Sequence, residues 1–469
     1  MSSQNAPNIV LIMLDTARVD RFSCYGYSRS TTTYIDQIAH EGLLYERAFS
    51  PEVWTLPVVS SVLTGLPPGV HGVVQPSHRL DPHQRTMAEL LSKQGYDTLG
   101  ISSGAWVTAS RGHAHGFNEF WETYRLIRSN TSSRLANLIN RFYAKYIYQR
   151  YDKGARGINR AVAKWLRSRQ ERRVDRPFFL FIQYLEPHYP YRPPRSHEGL
   201  YMPDRQTLTK AKRIAHNPLD VLAGKIILDD QDLKLLNNLY DAEITYLDMR
   251  IGELYETLQK AGVLETTALI LFADHGENIG DHGLLDHHFC LYDSLIHIPL
   301  IIRYPPLFPA GEKLPDIVQT QDLFGTVLKI AGLSGVPGID DARSLLVEDI
   351  RANPREYAVS EASDAFVDVI ERRGALRDLA GYRRQLRAIR TRRYKYIEGS
   401  DDSRELYDIV DDPQETRNLV LERPDLSHEL CERLQQEFES QKRKASEAVG
   451  HRDDDAVVAE RLRALGYLD

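Results

Sequence analysis

The sequence predicts an α/β protein: a mixed, mostly parallel sheet sandwiched by helices, followed by a smaller C-terminal α+β part. Apolar runs of strand length alternate with amphipathic helical segments over the first three quarters of the 469 residues, the pattern of strands buried on both faces. Acids and histidines fall just past the ends of these runs. Beyond about residue 373 the composition turns charged, with two strand-like segments and then a helix. A chain this long exceeds what one hydrophobic core usually holds, so residues 1–372 read as a large α/β domain and residues 373–469 as a C-terminal subdomain.

The first strand is Asn8-Ile9-Val10-Leu11-Ile12-Met13-Leu14, delivering Asp15 at its carboxyl end. Thr55 with Pro57 close behind reads as a helix start, and that helix ends at Leu63-Thr64-Gly65. Between about 122 and 173 the chain is rich in Arg, Lys and Tyr, with Leu135, Leu138, Phe142 and Tyr146 at helical spacing. Such a basic helical insert docks on the main domain, covers an anionic substrate or lies on an anionic membrane. Residues 178–185 form a second buried strand, followed by Glu186-Pro187-His188-Tyr189-Pro190-Tyr191. A helix with Tyr240, Ile244, Leu247, Ile251 and Leu254 on one face leads into a strand at 268–273, then Asp274-His275-Gly276-Glu277. Gly280-Asp281-His282-Gly283, Asp286-His287-His288 and a strand at 297–302 come next. The C-terminal part contributes Leu386-Arg387-Ala388-Ile389-Arg390, Tyr394-Lys395-Tyr396-Ile397 and a helix around Leu430 to Phe438. Ligands of open parallel sheets bind outside the carboxyl ends of the strands, so Asp15, His188 and Asp274 are expected at one edge.

A formal net charge of -6 supplies no electrostatic reason to expect nucleic acid as a partner. Cys24, Cys290 and Cys431 are too few and too scattered for a disulfide framework or a structural zinc site. A reducing, cytoplasmic location is the expectation. The N-terminal residues carry no basic n-region, and no apolar run is long enough for a transmembrane segment.

Thr55-Leu56-Pro57-Val58-Val59 with Leu63-Thr64-Gly65, Pro187-His188-Tyr189-Pro190-Tyr191, Asp274-His275-Gly276, and the closing Arg393-Tyr394-Lys395-Tyr396, Glu405-Leu406-Tyr407-Asp408 and Leu465-Gly466-Tyr467 follow one another in a familiar order. Together they resemble the sulfatase branch of the alkaline-phosphatase superfamily. The resemblance implies an alkaline-phosphatase-like sheet and a hydrolase of sulfuric or phosphoric esters. It implies one divalent metal ion held by Asp15, Thr55, Asp274 and His275, with Thr55 as nucleophile. By the same resemblance His188 donates to the ester oxygens or the leaving group, and His287 occupies the place where related enzymes set a lysine or histidine against the substrate anion. Two departures stand out. Thr55 replaces the cysteine or serine that the family oxidises to formylglycine, and Val59 replaces an arginine, so no formylglycine is expected.

Two carboxylates, an imidazole and a hydroxyl suit manganese or zinc. Thr16 stands where calcium-binding sulfatases usually carry a second acid, which weakens the case for calcium, an ion that prefers about six to eight oxygens. A bound metal lowers the pKa of an attached water from about 15.7 to about 7, and a threonine hydroxyl benefits in the same way. Formylglycine hydrate has a second hydroxyl on the same carbon with which to expel sulfate. Threonine has none, so its ester must be cleared by a second attack at phosphorus or sulfur. That favours phosphate, phosphodiester or phosphonate esters over sulfate esters. The expected partner is a small anionic ester, free or linked to a glycan or lipid; a homo-oligomer is compatible with this. Two other functions fit the same residues: a headgroup phosphotransferase, and a binding protein without catalysis, against which the retained acids and histidines argue. His288 reads as a bystander; His71, His113, His115 and His282 as packing residues; Glu277 and Arg18 as supporting groups; and Arg384 and Lys395 as solvated or structural charges.

Overall fold

The strands β1 (Asn8–Asp15), β2 (Leu43–Phe49), β3 (Asp97–Ser102), β4 (Glu119–Glu122), β5 (Phe178–Pro187) and β6 (Thr267–Ala273) alternate with helices along the chain. A short hairpin of β7 (Asn278–Ile279) and β8 (Leu285–Asp286) follows, then β9 (His297–Ile298), β10 (Leu300–Arg303) and β11 (Glu312–Gln319). The computed structural model describes residues 6–123, 152–333, 342–363, 366–372 and 374–449. Leu135, Leu138, Phe142 and Tyr146 of the insert, and Leu465-Gly466-Tyr467, lie outside the described residues.

The nine-stranded sheet has the order β11-β2-β10-β6-β1-β5-β3-β4, with β9 pairing β2. Along this path β10 runs antiparallel between β6 and β2, and the other strands are parallel to one another. In β1 every side chain from Ile9 to Leu14 is fully buried, because helices cover both faces, and this is why the run is unbroken by polar residues. Helix α1 (Thr55–Thr64) is buried along its whole length. Helix α2 (Ala155–Glu171) buries Ile158, Val162, Trp165 and Leu166 and sets Trp165 edge-on to Phe178 at 5.4 Å. The described part of the basic insert is thus docked on the main sheet, with Arg169 paired to Asp97. Helix α3 (Asp230–Lys260) is capped by Asp229, whose carboxylate accepts the Asp232 N–H at 2.7 Å. It buries Tyr240, Ile244, Leu247, Ile251 and Leu254, the face anticipated from their spacing.

A separate antiparallel sheet, β12 (Tyr357–Ala362), β13 (Leu386–Thr391), β14 (Tyr394–Gly399) and β15 (Arg404–Asp408), is covered by α4 (Pro424–Val449). Leu430, Leu434 and Phe438 of α4 pack on Val359, Ile389, Tyr396 and Leu406. The sheet takes its first strand from before residue 373, where the composition shifts. Composition follows surface charge, whereas membership of a sheet follows backbone pairing. The two parts are locked by Lys395, fully buried and bonded to Asp293 at 2.7 Å and to the Leu291 carbonyl at 3.0 Å. Lys395 is therefore a structural charge, and Arg384 likewise turns to Ser403 at 2.6 Å.

Candidate active site

Because β1 and β6 are parallel neighbours in register from Asn8 opposite Thr267 to Leu14 opposite Ala273, Asp15 and Asp274 leave the sheet side by side. Their carboxylates meet at its carboxyl edge. The turn after β1 is sharp: Thr16 has φ +58°, a left-handed conformation that a β-branched residue adopts only under constraint. The constraint is visible. The Thr16 N–H donates to Asp274 Oδ1 at 3.1 Å, and the Thr16 carbonyl accepts the Tyr240 hydroxyl at 2.6 Å. His188 follows β5, flanked by the cis bonds Glu186-Pro187 and Tyr189-Pro190. Thr55 is the first residue of α1, buried at the same edge with its hydroxyl facing His275.

Asp15, Asp274 and His275 offer ligand atoms within 4.8 Å of one another, all buried. Asp274 Oδ2 lies 3.5 Å from His275 Nε2, and Thr55 Oγ1 lies 3.4 Å from the same nitrogen. Tetrahedral bonds of about 2.0–2.1 Å put ligand atoms about 3.4 Å apart, so these spacings fit a small divalent cation. The lone pairs agree. Asp15 Oδ1 and Asp274 Oδ2 are buried with no hydrogen-bond partner among the described residues, while their other oxygens are used: Gln183 Nε2 donates to Asp15 Oδ2 at 2.8 Å, and the Thr16 and His275 N–H groups donate to Asp274 Oδ1. The ring of His275 is turned by its Nδ1–H bond to the Gly276 carbonyl at 2.9 Å, which leaves Nε2 bare, the usual outer-shell device of ligand histidines. Burial and the repulsion of Asp274 raise the Asp15 carboxyl well above its ordinary range, and burial pushes Asp274 up to about 6. A buried acid pair of this kind is stable as two carboxylates when a cation lies between them.

His287 stands beside this set, its ring 4.5 Å from that of His275 and 5.1 Å from that of His188. Its Nδ1 is 2.5 Å from Asp286 Oδ1 and 3.3 Å from Glu277 Oε1. Burial opposes the imidazolium, but Asp286 and Glu277 outweigh it and hold the His287 pKa well above its ordinary value. Nδ1 is thereby committed, and the Nε2–H is the free donor. His188 is the complement. Its Nδ1 donates to the Tyr189 carbonyl at 2.8 Å, and burial with the neighbouring His287 lowers its pKa to about 4. A neutral His188 so oriented presents Nε2 as an acceptor, and it donates to an ester oxygen only when protonated.

Five other histidines have partners of their own. His71 and His113 bond to Ser61 and Ser60 of α1 at 3.0 and 3.2 Å. His115 faces Glu89 at 3.4 Å, and His282 stacks on Tyr292. His288 stacks on Phe366 with ring centres 4.1 Å apart. Of the two supporting groups, Glu277 touches His287, and Arg18 donates to the Glu277 carbonyl at 2.8 Å while pairing with Asp20 and Asp281. An 850 Å³ cavity lies beside Arg18, between the sheet and the C-terminal part, and none of Asp15, Thr55, Asp274, His275, His188 or His287 lines it. Residues not singled out from the sequence also matter. Gln183 is the one polar side chain within the apolar run of β5, a visible signal. Asp286 carried no such signal, because its value depends on a φ of +81° that folds it back toward its neighbour.

A mostly parallel sheet with a carboxylate–histidine set at its carboxyl edge and a helix-start hydroxyl above it defines a hydrolase of alkaline-phosphatase-like fold. A family model described as Sulfatase matches residues 7–333, and the chain belongs to the sulfatase family, whose members act on sulfate or phosphate esters. It is similar to an arylsulfatase of Clostridium perfringens, 24% identical over 88% of this chain and 90% of that protein. It is also similar to human iduronate 2-sulfatase, 25% identical over 72% of this chain and 71% of that one. Among solved structures, the phosphonate monoester hydrolase of Agrobacterium radiobacter shares the fold with a TM-score of 0.71 at 21% identity, covering 93% of this chain and 96% of that one. A structure in complex with its substrate D-glucosamine-2-N,6-O-disulfate also has a TM-score of 0.71, at 20% identity over 96% and 100% of the two chains. No helix among the described residues is long and apolar enough to cross a membrane.

Proposed function

We propose that this chain is a metal-dependent hydrolase of phosphate or phosphonate esters in which Thr55 is the nucleophile. The observation that carries the reading is the position of Thr55 Oγ1, 3.4 Å from His275 Nε2 and beside two carboxylates with unpaired lone pairs. Asp15, Asp274, His275 and Thr55 would hold the cation, manganese or zinc, which when bound acidifies the Thr55 hydroxyl and draws charge from the ester oxygens. The helix start at Thr55 turns backbone N–H groups toward the anion, and the charged His287 supplies a donor to an ester oxygen. Thr55 Oγ bonds to phosphorus as the bond to the leaving oxygen breaks, and the departing alcohol takes up the proton that the Thr55 hydroxyl gives up. In the second half water attacks phosphorus, His188 Nε2 receives its proton, and the bond to Thr55 Oγ breaks, the same proton passing on to restore the hydroxyl.

The preference for phosphorus over sulfur follows from the missing second hydroxyl. A threonine carries a methyl group where formylglycine hydrate carries the oxygen that expels sulfate. The test is turnover of an aryl phosphate, an aryl phosphonate and an aryl sulfate side by side, with and without Thr55→Ala. The expected result is hydrolysis of the phosphorus esters, abolished in the variant. Robust sulfate release with both phosphorus esters inert, or a Thr55→Ala protein as active as the parent, would overturn the reading.

A further inference from the structure

We infer that Trp106 and Phe366 form the leaving-group subsite of this centre, and that the ester it takes carries a ring with an apolar face beside the scissile oxygen; this rests on the ester-hydrolase reading above. Three segments that are far apart in sequence build the corner. Trp54 immediately precedes the nucleophile, Trp106 lies on the loop after β3, and Phe366 follows β12. Trp54 sits edge-on to both others, 5.3 Å from Trp106 at 87° and 5.5 Å from Phe366 at 88°, and those two are 6.4 Å apart at 83°. Trp54 is buried at 2% exposure and backs the corner, while Trp106 and Phe366 are half-buried and present surface. Leu56, Val73 and Leu80 fill in behind.

Each wall is tied to the reacting centre by its own contacts. On one side rings run in sequence from His275 to His287 at 4.5 Å, to His288 at 4.6 Å and to Phe366 at 4.1 Å. On the other, Gln183, which donates to Asp15, uses its Oε1 to accept the Ser102 hydroxyl at 2.6 Å and the Gly104 N–H at 3.0 Å. That fixes the loop bearing Trp106. A Cβ on residue 104 would lie 2.3 Å from Gln183 Nε2 and would displace that amide. The third tie is Glu52, fully buried, whose carboxylate accepts the N–H groups of Val53, Trp54 and Ser363 at 2.9, 3.2 and 3.2 Å. It ties Ser363, just past β12, to the residues just before Thr55. Arg111 lies 5.3 Å over the Trp106 ring and stiffens it.

A corner made of two aromatic surfaces has nothing to offer a short acyclic group but gains from an aryl or pyranose face laid against it. The buried Trp54 Nε1 also lacks a partner among the described residues, and an oxygen on such a ring, or a water, completes its pairing.

The experiment compares Trp106→Ala and Phe366→Ala with the parent on phenyl, cyclohexyl and methyl esters of the phosphorus acid that the parent hydrolyses. Trp106→Leu and Phe366→Leu, together with thermal melts, guard against misfolding. Ring esters are expected to lose about tenfold in kcat/KM, mainly through KM, with methyl ester turnover unchanged. Loss with phenyl alone supports an aryl leaving group, and loss with cyclohexyl alone supports a saturated, sugar-like ring. Equal losses on all three esters in folded variants would make the two residues structural and overturn the inference. Unchanged ring-ester kinetics would overturn it while leaving the hydrolase reading intact, and a parent inert to every ester would remove both.

Discussion

Asp286 Oδ1 lies 2.5 Å from Nδ1 of His287 and also accepts the His287 backbone N–H at 2.9 Å. One carboxylate oxygen therefore fixes both the ring and the backbone of the residue proposed to meet the substrate anion. Where a lysine carries its charge unaided at neutral pH, a histidine needs this partner.

Asp286→Asn is accordingly expected to lower kcat/KM for anionic esters by about 10- to 100-fold, the scale of a buried hydrogen bond to a charged group. Adding His287→Lys to that variant should recover most of the loss, because ammonium needs no neighbour to be charged. In a His287→Ala background the Asp286 change should do little more. Steady-state kinetics of the parent and these four variants tests this, and additive losses in the variant combining His287→Ala with Asp286→Asn would contradict it.

The acid pair makes a separate prediction about stability. With the cation chelated away, Asp15 and Asp274 repel each other in a buried site, so Asp15→Asn should raise the melting temperature of the chelated protein, by about 1 °C for each kcal/mol relieved. Manganese or zinc should raise the melting temperature of the parent in proportion to the logarithm of its concentration and leave the variant nearly unmoved. A variant stabilised by the ion as much as the parent would exclude Asp15 as a ligand.

His113 predicts an acid limit to folding. Burial holds its pKa at about 3, against an ordinary value of 6.5. The unfolded chain thus binds a proton at higher pH than the folded one, and stability rises with pH wherever that is so. The contribution of neutral His113 is complete above the ordinary value and is lost progressively as pH falls from there toward the folded value. Melting temperatures at about pH 7 and about pH 5 should fall less for His113→Gln than for the parent; identical slopes would refute the assignment.

Much of this site was readable along the chain because its parts are local. Asp15, His188 and the Asp274-His275 pair each follow an apolar run, and a parallel sheet brings the ends of its strands to one edge whatever the loops do. Thr55 was marked by its resemblance to the sulfatase signature, and the helix start with Pro57 behind it agrees with that place. The order of His287 and His288 was harder. They are adjacent and chemically alike, and only the left-handed turn at Asp286 directs one ring to the acids and the other to Phe366. Arg18 and Glu277 were equivalent as supporting groups in the sequence, and folding gives Arg18 the carboxylates of Asp20 and Asp281 together with the Glu277 carbonyl. The edge strand of the small sheet, β12, was missed by composition because Tyr357–Ala362 owes its place to pairing with β13.

Strand periodicity and the side chains that close each strand are properties of neighbours in the chain, and from them came the fold class, the carboxyl edge and the acids, while Thr55 was picked out by its resemblance to the sulfatase signature. The aromatic corner, the Gln183 bridge and the Asp286 clamp join residues tens to hundreds of positions apart or depend on one backbone angle. Such contacts leave no trace in local pattern, since their energy arises from packing and desolvation that exist only after the chain has closed on itself.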